Sequence, residues 1–364
     1  MTASGQVARR LKSLDALRGF DMLFLCGLSA VCRGFCKLFP GGEDWSFFRQ
    51  FEHVRWEGLH VEDLIFPLFI FIAGLSFPFS HAKQVEKGVS GARQHLRILK
   101  RMLLLIALGW VYNGQLLGGS FAKFDFLGWS IFGYIGIAWA TAALVYLHLG
   151  TKARILVTAA LVAGYWAAMQ FVAPDAPPGA TPWSAAGCVA CWIGRKGFRT
   201  WIFLSMAGCS VSALLGMFAG DVVRSVREGL TPGRKSGVLA GIGALLLAAG
   251  FALTPTCPIV KNIWTPTFAL VAGGYSFLAF ALFHFVIDVK GFVRWCFPLE
   301  VAGMNAMLAY LLPRFVDFDK ASRFFFGSFA QLFPTPDFVL ALGHMAVCWT
   351  VLWYLHKNKT FLKV

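Results

Sequence analysis

Charge is what this sequence has least of. Only 14% of its 364 residues are Asp, Glu, Lys or Arg, and only 18 are acidic. A soluble domain carries about 25% charged residues, so the shortage excludes an ordinary cytosolic enzyme. The same arithmetic excludes a disordered chain, a coiled coil and a collagen-like protein. There is no low-complexity linker and no visible internal repeat. The N-terminal stretch has neither an apolar core nor a small-residue cleavage site, so no cleavable signal peptide is expected.

What fills the chain is apolar: 57% of residues are hydrophobic and the mean hydropathy is +0.65. This composition implies an all-α integral membrane protein of about ten transmembrane helices in one bundle, a single multi-spanning domain over residues 1–364. Runs of spanning length fall at 19–39, 63–81, 98–119, 126–148, 153–173, 201–223, 236–254, 266–287, 297–315 and 337–355.

The charge that exists is lopsided, 33 basic residues giving a net +15. In a soluble protein this excess would point to nucleic acid. No basic soluble domain is long enough here, so no nucleic-acid partner is expected. With ten spans and the N-terminus inside, 21 of the 33 basic residues fall on one side. They include Arg9, Arg10, Lys12 and Arg18 before the first span and a cluster from Lys83 to Arg101. The positive-inside rule then places both termini in the cytoplasm and the protein in the inner cell membrane, with the lipid bilayer as its surroundings. Nothing in the sequence excludes a homodimer.

Most of the nine cysteines fall in or beside expected spans and read as packing residues. Cys188 and Cys191 form CVAC in an expected outer loop, where an oxidising compartment would allow a disulfide. A lone CxxC without a second pair is a weak zinc signal, and no metal site is expected.

Ionisable groups inside apolar spans are costly and usually functional, and three clusters stand out. In SLDALRGFDM, Asp15 and Arg18 share a helix face and can pair, with Asp21 a turn further on. The alternative is that Asp15 caps the helix and Arg18 anchors it at the interface. In FEHVRWEGLHVEDLIF, His53, Trp56, Glu57, His60, Glu62 and Asp63 crowd one entrance of the second span. His53 has the densest set of acid–base partners in the chain. Asp63 also reads as a helix N-cap, and Trp56 as an interface anchor. The third cluster joins Lys261, Asn262 and Trp264, just before a span, with Asn305 in mid-span. A mid-span amide needs partners, and a helix–helix hydrogen bond would supply them.

Together these motifs resemble the heparan-α-glucosaminide N-acetyltransferase family and its bacterial relatives. Ser13, Leu14, Asp15, Arg18 and Gly19 match the opening S-[LV]-D-x-x-R-G. His53, Trp56, Gly58, Leu59, Asp63, Leu64, Phe66, Pro67 and Phe71 match H-x-x-W-x-G-L-x-x-x-D-L-[IV]-F-P-x-F-x-F in register. Lys261–Trp264, Asp288–Gly291, Gly303–Asn305 and Leu214–Gly220 answer to K-N-[IL]-W, D-V-K-G, G-M-N and L-L-G-x-x-A-G. Two positions depart from the family pattern: Ser29 stands where human-type members have Asn, and Tyr134 where many relatives carry Arg.

The resemblance implies a membrane acyltransferase with no permanently bound cofactor. It would take acetyl groups from cytosolic acetyl-CoA as co-substrate and pass them to an amino sugar or other glycan on the outer side. His53 would act as general base or carry the acetyl group briefly, with Asp63 or Asp15 fixing its tautomer. Arg18, Trp56, Lys261, Asn262, Trp264 and Asn305 would bind substrate or CoA. A membrane transporter and a non-catalytic family member are the rival readings.

Overall fold

The computed structural model describes residues 11–114, 130–195 and 201–362, with backbone alone for 194–195 and 201–204. Parts of the expected spans at 98–119 and 126–148, the residues between them, and Arg9, Arg10 and Lys363 lie outside the described residues.

The chain is all-helical. Helix α1 (Lys12–Leu23) passes through a π-helical turn at Phe24–Leu28 into α2 (Ser29–Cys36). A short α3 (Ser46–Arg49) and a 3-10 turn at Val61–Leu64 lead into α4 (Ile65–Glu86). Then come α5 (Gly91–Tyr112), α6 (Ile131–His148), α7 (Thr151–Ala168), α8 (Val189–Arg195), α9 (Trp201–Arg224) and α10 (Pro232–Ala252). The chain ends with α11 (Pro266–Phe283), α12 (Phe297–Met304), α13 (Ala306–Phe315), α14 (Phe318–Ala330) and α15 (Asp337–Lys357). Pairing of extended backbone among the described residues is confined to two isolated bridges, Glu57–Val260 and Val172–Cys188.

Short polar side chains start several helices by accepting an otherwise orphaned backbone N–H. Thr231 and Thr265 do so directly before Pro232 and Pro266, whose missing N–H is harmless in a first turn. The first helix begins at Lys12, well before the expected residue 19, and so takes in Asp15, Arg18 and Asp21.

Among the described residues seven helices are long and apolar enough to cross a bilayer, and α12 with α13, bent by 63° at Asn305, make an eighth if the pair is taken as one span. The chain is a multi-pass membrane protein. Helices α5 and α7 stand at the third and fifth expected positions but carry cations, Arg97, Lys100 and Arg101 in α5 and Lys152 and Arg154 in α7.

Burial sorts these helices. The apolar window of α9 is 72% buried, whereas those of α10 and α15 are 22% buried. α9 is therefore central and the other two face outward. Small residues make the inner seams: a Cβ on Gly74 would overlap the Ala213 carbonyl, and one on Gly216 the Phe71 carbonyl. Such close backbone approach replaces the hydrophobic drive that is lacking in lipid. α1 meets α12 the same way, through Gly19 and Gly303.

Candidate active site

The site is built from two loops at one end of the bundle. Residues 50–64 fold back across the start of α4 and are held there through their backbone carbonyls. Glu62 N–H donates to the Gln50 carbonyl at 3.0 Å, and His60 Nδ1 lies 2.9 Å from the Glu52 carbonyl. Arg33 of α2 donates to the Phe51 carbonyl. The second loop, 258–265, lies alongside: Gly58 N–H donates to the Ile259 carbonyl at 2.9 Å. Gly58 has φ +125°, a conformation L side chains rarely adopt.

Trp264 also has a left-handed backbone, φ +51°, which is unusual for a bulky residue. Its ring compensates by packing edge-on to Phe66 and Phe268 at 5.1 and 5.2 Å, and its indole N–H donates to Ser212 Oγ at 3.3 Å. The turn it makes leaves Lys261 directed at the first loop.

Asp63 is where the loops meet. It is completely buried, and its Oδ2 accepts the backbone N–H groups of His60 at 3.1 Å and Val54 at 3.3 Å. Its Oδ1 lies 2.9 Å from His53 Nδ1 and accepts from Lys261 Nζ at 3.0 Å. Asp63 therefore sits at the third position of the 3-10 turn, not at its N-cap, and closes a capping box back onto His60. Capping and holding His53 turn out to be one carboxylate's two faces.

Lys261 Nζ also lies 3.0 Å from His53 Nδ1. That nitrogen cannot both accept from the ammonium and donate to the carboxylate. A buried carboxylate needs its donors more than a lysine needs one further acceptor, so Nδ1 carries the proton toward Asp63. This leaves Nε2 with its lone pair, and among the described residues nothing hydrogen-bonds to it. The His53 side chain is 61% exposed, open for a reaction partner to reach.

His53 and Lys261 form one wall of a cavity of about 140 Å³. Asp21 and Leu25 of α1 and its π-turn, Glu62, Phe66, Phe69, Phe132 and Tyr310 complete much of the rest. The Glu62 carboxylate accepts the Ser29 hydroxyl, which places the first departure from the family pattern beside the cavity. Tyr134, the second, stands edge-on to Phe66 at 6.2 Å.

The other expected site residues do not line this cavity and have partners elsewhere. Trp56 donates through Nε1 to the Trp183 carbonyl at 2.8 Å, and Asn262 through Nδ2 to the Arg55 carbonyl at 3.0 Å. Asp15 pairs with Arg18 at 3.4 Å within α1. Asn305 donates to the Thr360 carbonyl at 2.9 Å and accepts from Leu362 N–H at 3.2 Å, so it holds the C-terminal tail. Sequence reasoning passed over Tyr310, which carries no signal beyond being an aromatic in a span. Asp21 did carry one, as an acid amid apolar residues. In the CVAC stretch, Cys191 N–H donates to Cys188 Sγ.

No model of a known protein family matches the chain. Human heparan-alpha-glucosaminide N-acetyltransferase is 23% identical to it over 368 residues, covering 83% of this chain and 52% of the human protein. The mouse protein of the same name is 23% identical over 364 residues, covering 84% and 53%. The chain is distantly similar to the heparan-alpha-glucosaminide N-acetyltransferases. It spans about half the length of the curated relatives it matches. The resemblance read from the motifs around His53 is thus borne out along most of the chain.

Proposed function

We propose that the chain is a membrane acetyltransferase that moves an acetyl group from acetyl-CoA to an amino sugar or other glycan acceptor on the outer side. The observation that carries this reading is His53: oriented through Nδ1 by a buried carboxylate, it offers an unengaged Nε2 at the mouth of a cavity. That is the arrangement a general base or a transient acetyl carrier needs. A cavity of about 140 Å³ admits the reacting ends of two molecules, not a whole glycan or a whole CoA.

The other end of the same α4–α6 seam supports a CoA donor. A second cavity of about 520 Å³ lies there, lined by His81, Lys83, Lys87, Arg97, Lys100 and Arg101 and by no acidic residue. Arg101 Nε and His81 Nδ1 are buried there without a hydrogen-bond partner among the described residues. Such a basin suits the phosphates of CoA. From Phe66 to Gln84 the α4 axis runs roughly 27 Å at 1.5 Å per residue, which sets the distance the donor's arm must cover. With the basic end in the cytoplasm, CoA would enter from inside and the acceptor from outside.

The break at Asn305 is the feature a transporter would use, since broken helices carry substrate sites there. Here the amide is taken by the backbone of Thr360 and Leu362, so the break serves the tail, which favours the enzyme. The test is CoA release by the purified protein with acetyl-CoA and a glucosamine acceptor. His53→Ala is expected to lower turnover by about 10²–10⁴; equal turnover in the two proteins would remove His53 from the chemistry.

A further inference from the structure

Two carboxyl groups line the catalytic cavity in addition to the Asp63 behind it. Glu62 has the Ser29 hydroxyl as its partner. Asp21 has none: it is 0% exposed, and neither carboxyl oxygen makes a hydrogen bond among the described residues. It lies nine residues into α1, roughly 14 Å from the helix start. Leu25, Phe69, Phe132 and Tyr310 share the lining with it.

The ionisable groups that share this cavity with Asp21 are His53, Glu62, Lys261 and Tyr310. The fixed cation among them, Lys261, is engaged by Asp63 at 3.0 Å and does not bond to Asp21. An ionised carboxylate in this place would bear its whole desolvation cost with nothing to offset it. One proton removes the charge, and it also changes what the group does, from acceptor only to donor.

We propose that Asp21 is a neutral carboxylic acid that donates a hydrogen bond to the thioester carbonyl oxygen as negative charge develops there. This rests on the acetyl-transfer reading above. The acceptor's lone pair forms a bond to the carbonyl carbon, and the C=O π pair moves onto oxygen, where the Asp21 O–H stabilises it. The acceptor's proton passes to His53 Nε2. The carbonyl re-forms, the C–S bond breaks, and the departing thiolate takes the proton from His53. Asp21 keeps its own proton throughout and ends the cycle unchanged. A donor fixed in a water-poor cavity needs no reorganisation when the charge appears, which is what gives such groups their effect.

The experiment has two readings, both on the purified full chain in lipid nanodiscs. Infrared difference spectra of wild type against Asp21→Asn, taken without substrate, should show a protonated-carboxyl C=O stretch that the variant loses and that persists across neutral pH. In turnover, Asp21→Asn keeps a donor of similar shape and is expected to stay within about tenfold of wild type. Asp21→Ala is expected to lose about 10²–10³ in kcat with the acceptor KM little changed. Thermal unfolding of each variant separates this from misfolding. An absent C=O band overturns the proposal, and so does an Asp21→Asn as slow as Asp21→Ala, because charge would then be what matters. A wild type inert toward acetyl-CoA sinks the acetyl-transfer reading and the role of Asp21 with it. An active wild type with equally slow Asn and Ala variants sinks only the role of Asp21.

Discussion

Asp63 and Asp21 are both fully buried acids of one site, and they are opposite in everything else. Asp63 gathers His53, Lys261 and two backbone N–H groups around its oxygens. Asp21 gathers no hydrogen bond among the described residues. Burial alone therefore does not decide what a carboxyl group is. Four donors make Asp63 an anion that organises the two loops, and their absence makes Asp21 a group to be carried neutral in the span. One is tied to His53, and the other, in the role proposed for it, waits for charge to arrive.

The sharpest way to break this comparison is the same substitution at both positions. Asp63→Asn removes the acceptor that fixes the His53 tautomer, since an amide can turn either face to Nδ1. Turnover is expected to fall by about 10²–10⁴, where Asp21→Asn is expected to lose no more than about tenfold. Steady-state kinetics of the two variants side by side decide the matter. Equal losses would mean that the two acids play one role.

The next largest effect lies in stability. Lys261→Met leaves the Asp63 carboxylate buried beside His53 with no fixed cation. Breaking a buried pair from one side costs about 3–5 kcal/mol, and Lys261 is 21% exposed against 0% for Asp63, so the lower half of that range is expected. Unfolding in detergent measures it. Combining the change with Asp63→Asn should cost less than the two single losses added, because the second substitution removes the stranded charge. Strict additivity would show that the pair does not interact.

How much of this was legible in the sequence follows the same division. The motif from His53 to Phe71 put a histidine, an acid and the start of a span together, and these residues do meet. Local spacing carries that information, because ten residues and one turn suffice to bring His53 onto Asp63. Lys261 was legible as a polar residue before a span and, through the resemblance, as a binding residue, but its tie to Asp63 was not, since that partner lies 198 positions away. Asn305 read as an amide in need of partners from a neighbouring helix, but the C-terminal backbone of Thr360 and Leu362 satisfies it instead, which cannot be inferred from an apolar run. Helices α5 and α7 were read as spans by apolar content, yet their cations keep them below the other seven. Both faces of Asp63, cap and partner of His53, could be read from the sequence as alternatives; that one carboxylate takes both at once could not, because the spacing does not say which oxygen meets which donor.

A second lysine–aspartate pair sets the scale of what burial does. Lys37 lies 2.8 Å from Asp337, closer than Lys261 to Asp63, but the side chains are 31% and 51% exposed. The Asp337 carboxylate beside Lys37 raises the lysine pKa above its ordinary value, with burial opposing it. A raised lysine contributes stability fully below its unfolded pKa and loses it as pH climbs through the folded one. The contribution of this pair is thus present at neutral pH and fades only in the alkaline range. Solvent screening holds it under about 1 kcal/mol. Lys37→Met should accordingly shift the unfolding midpoint slightly at low salt and not at all near 1 M, where the Debye length is about 3 Å. The Lys261→Met loss should survive that salt, because water and ions do not reach Asp63. If the two losses respond to salt alike, burial is not what separates these pairs, and the contrast between Asp63 and the surface fails with it.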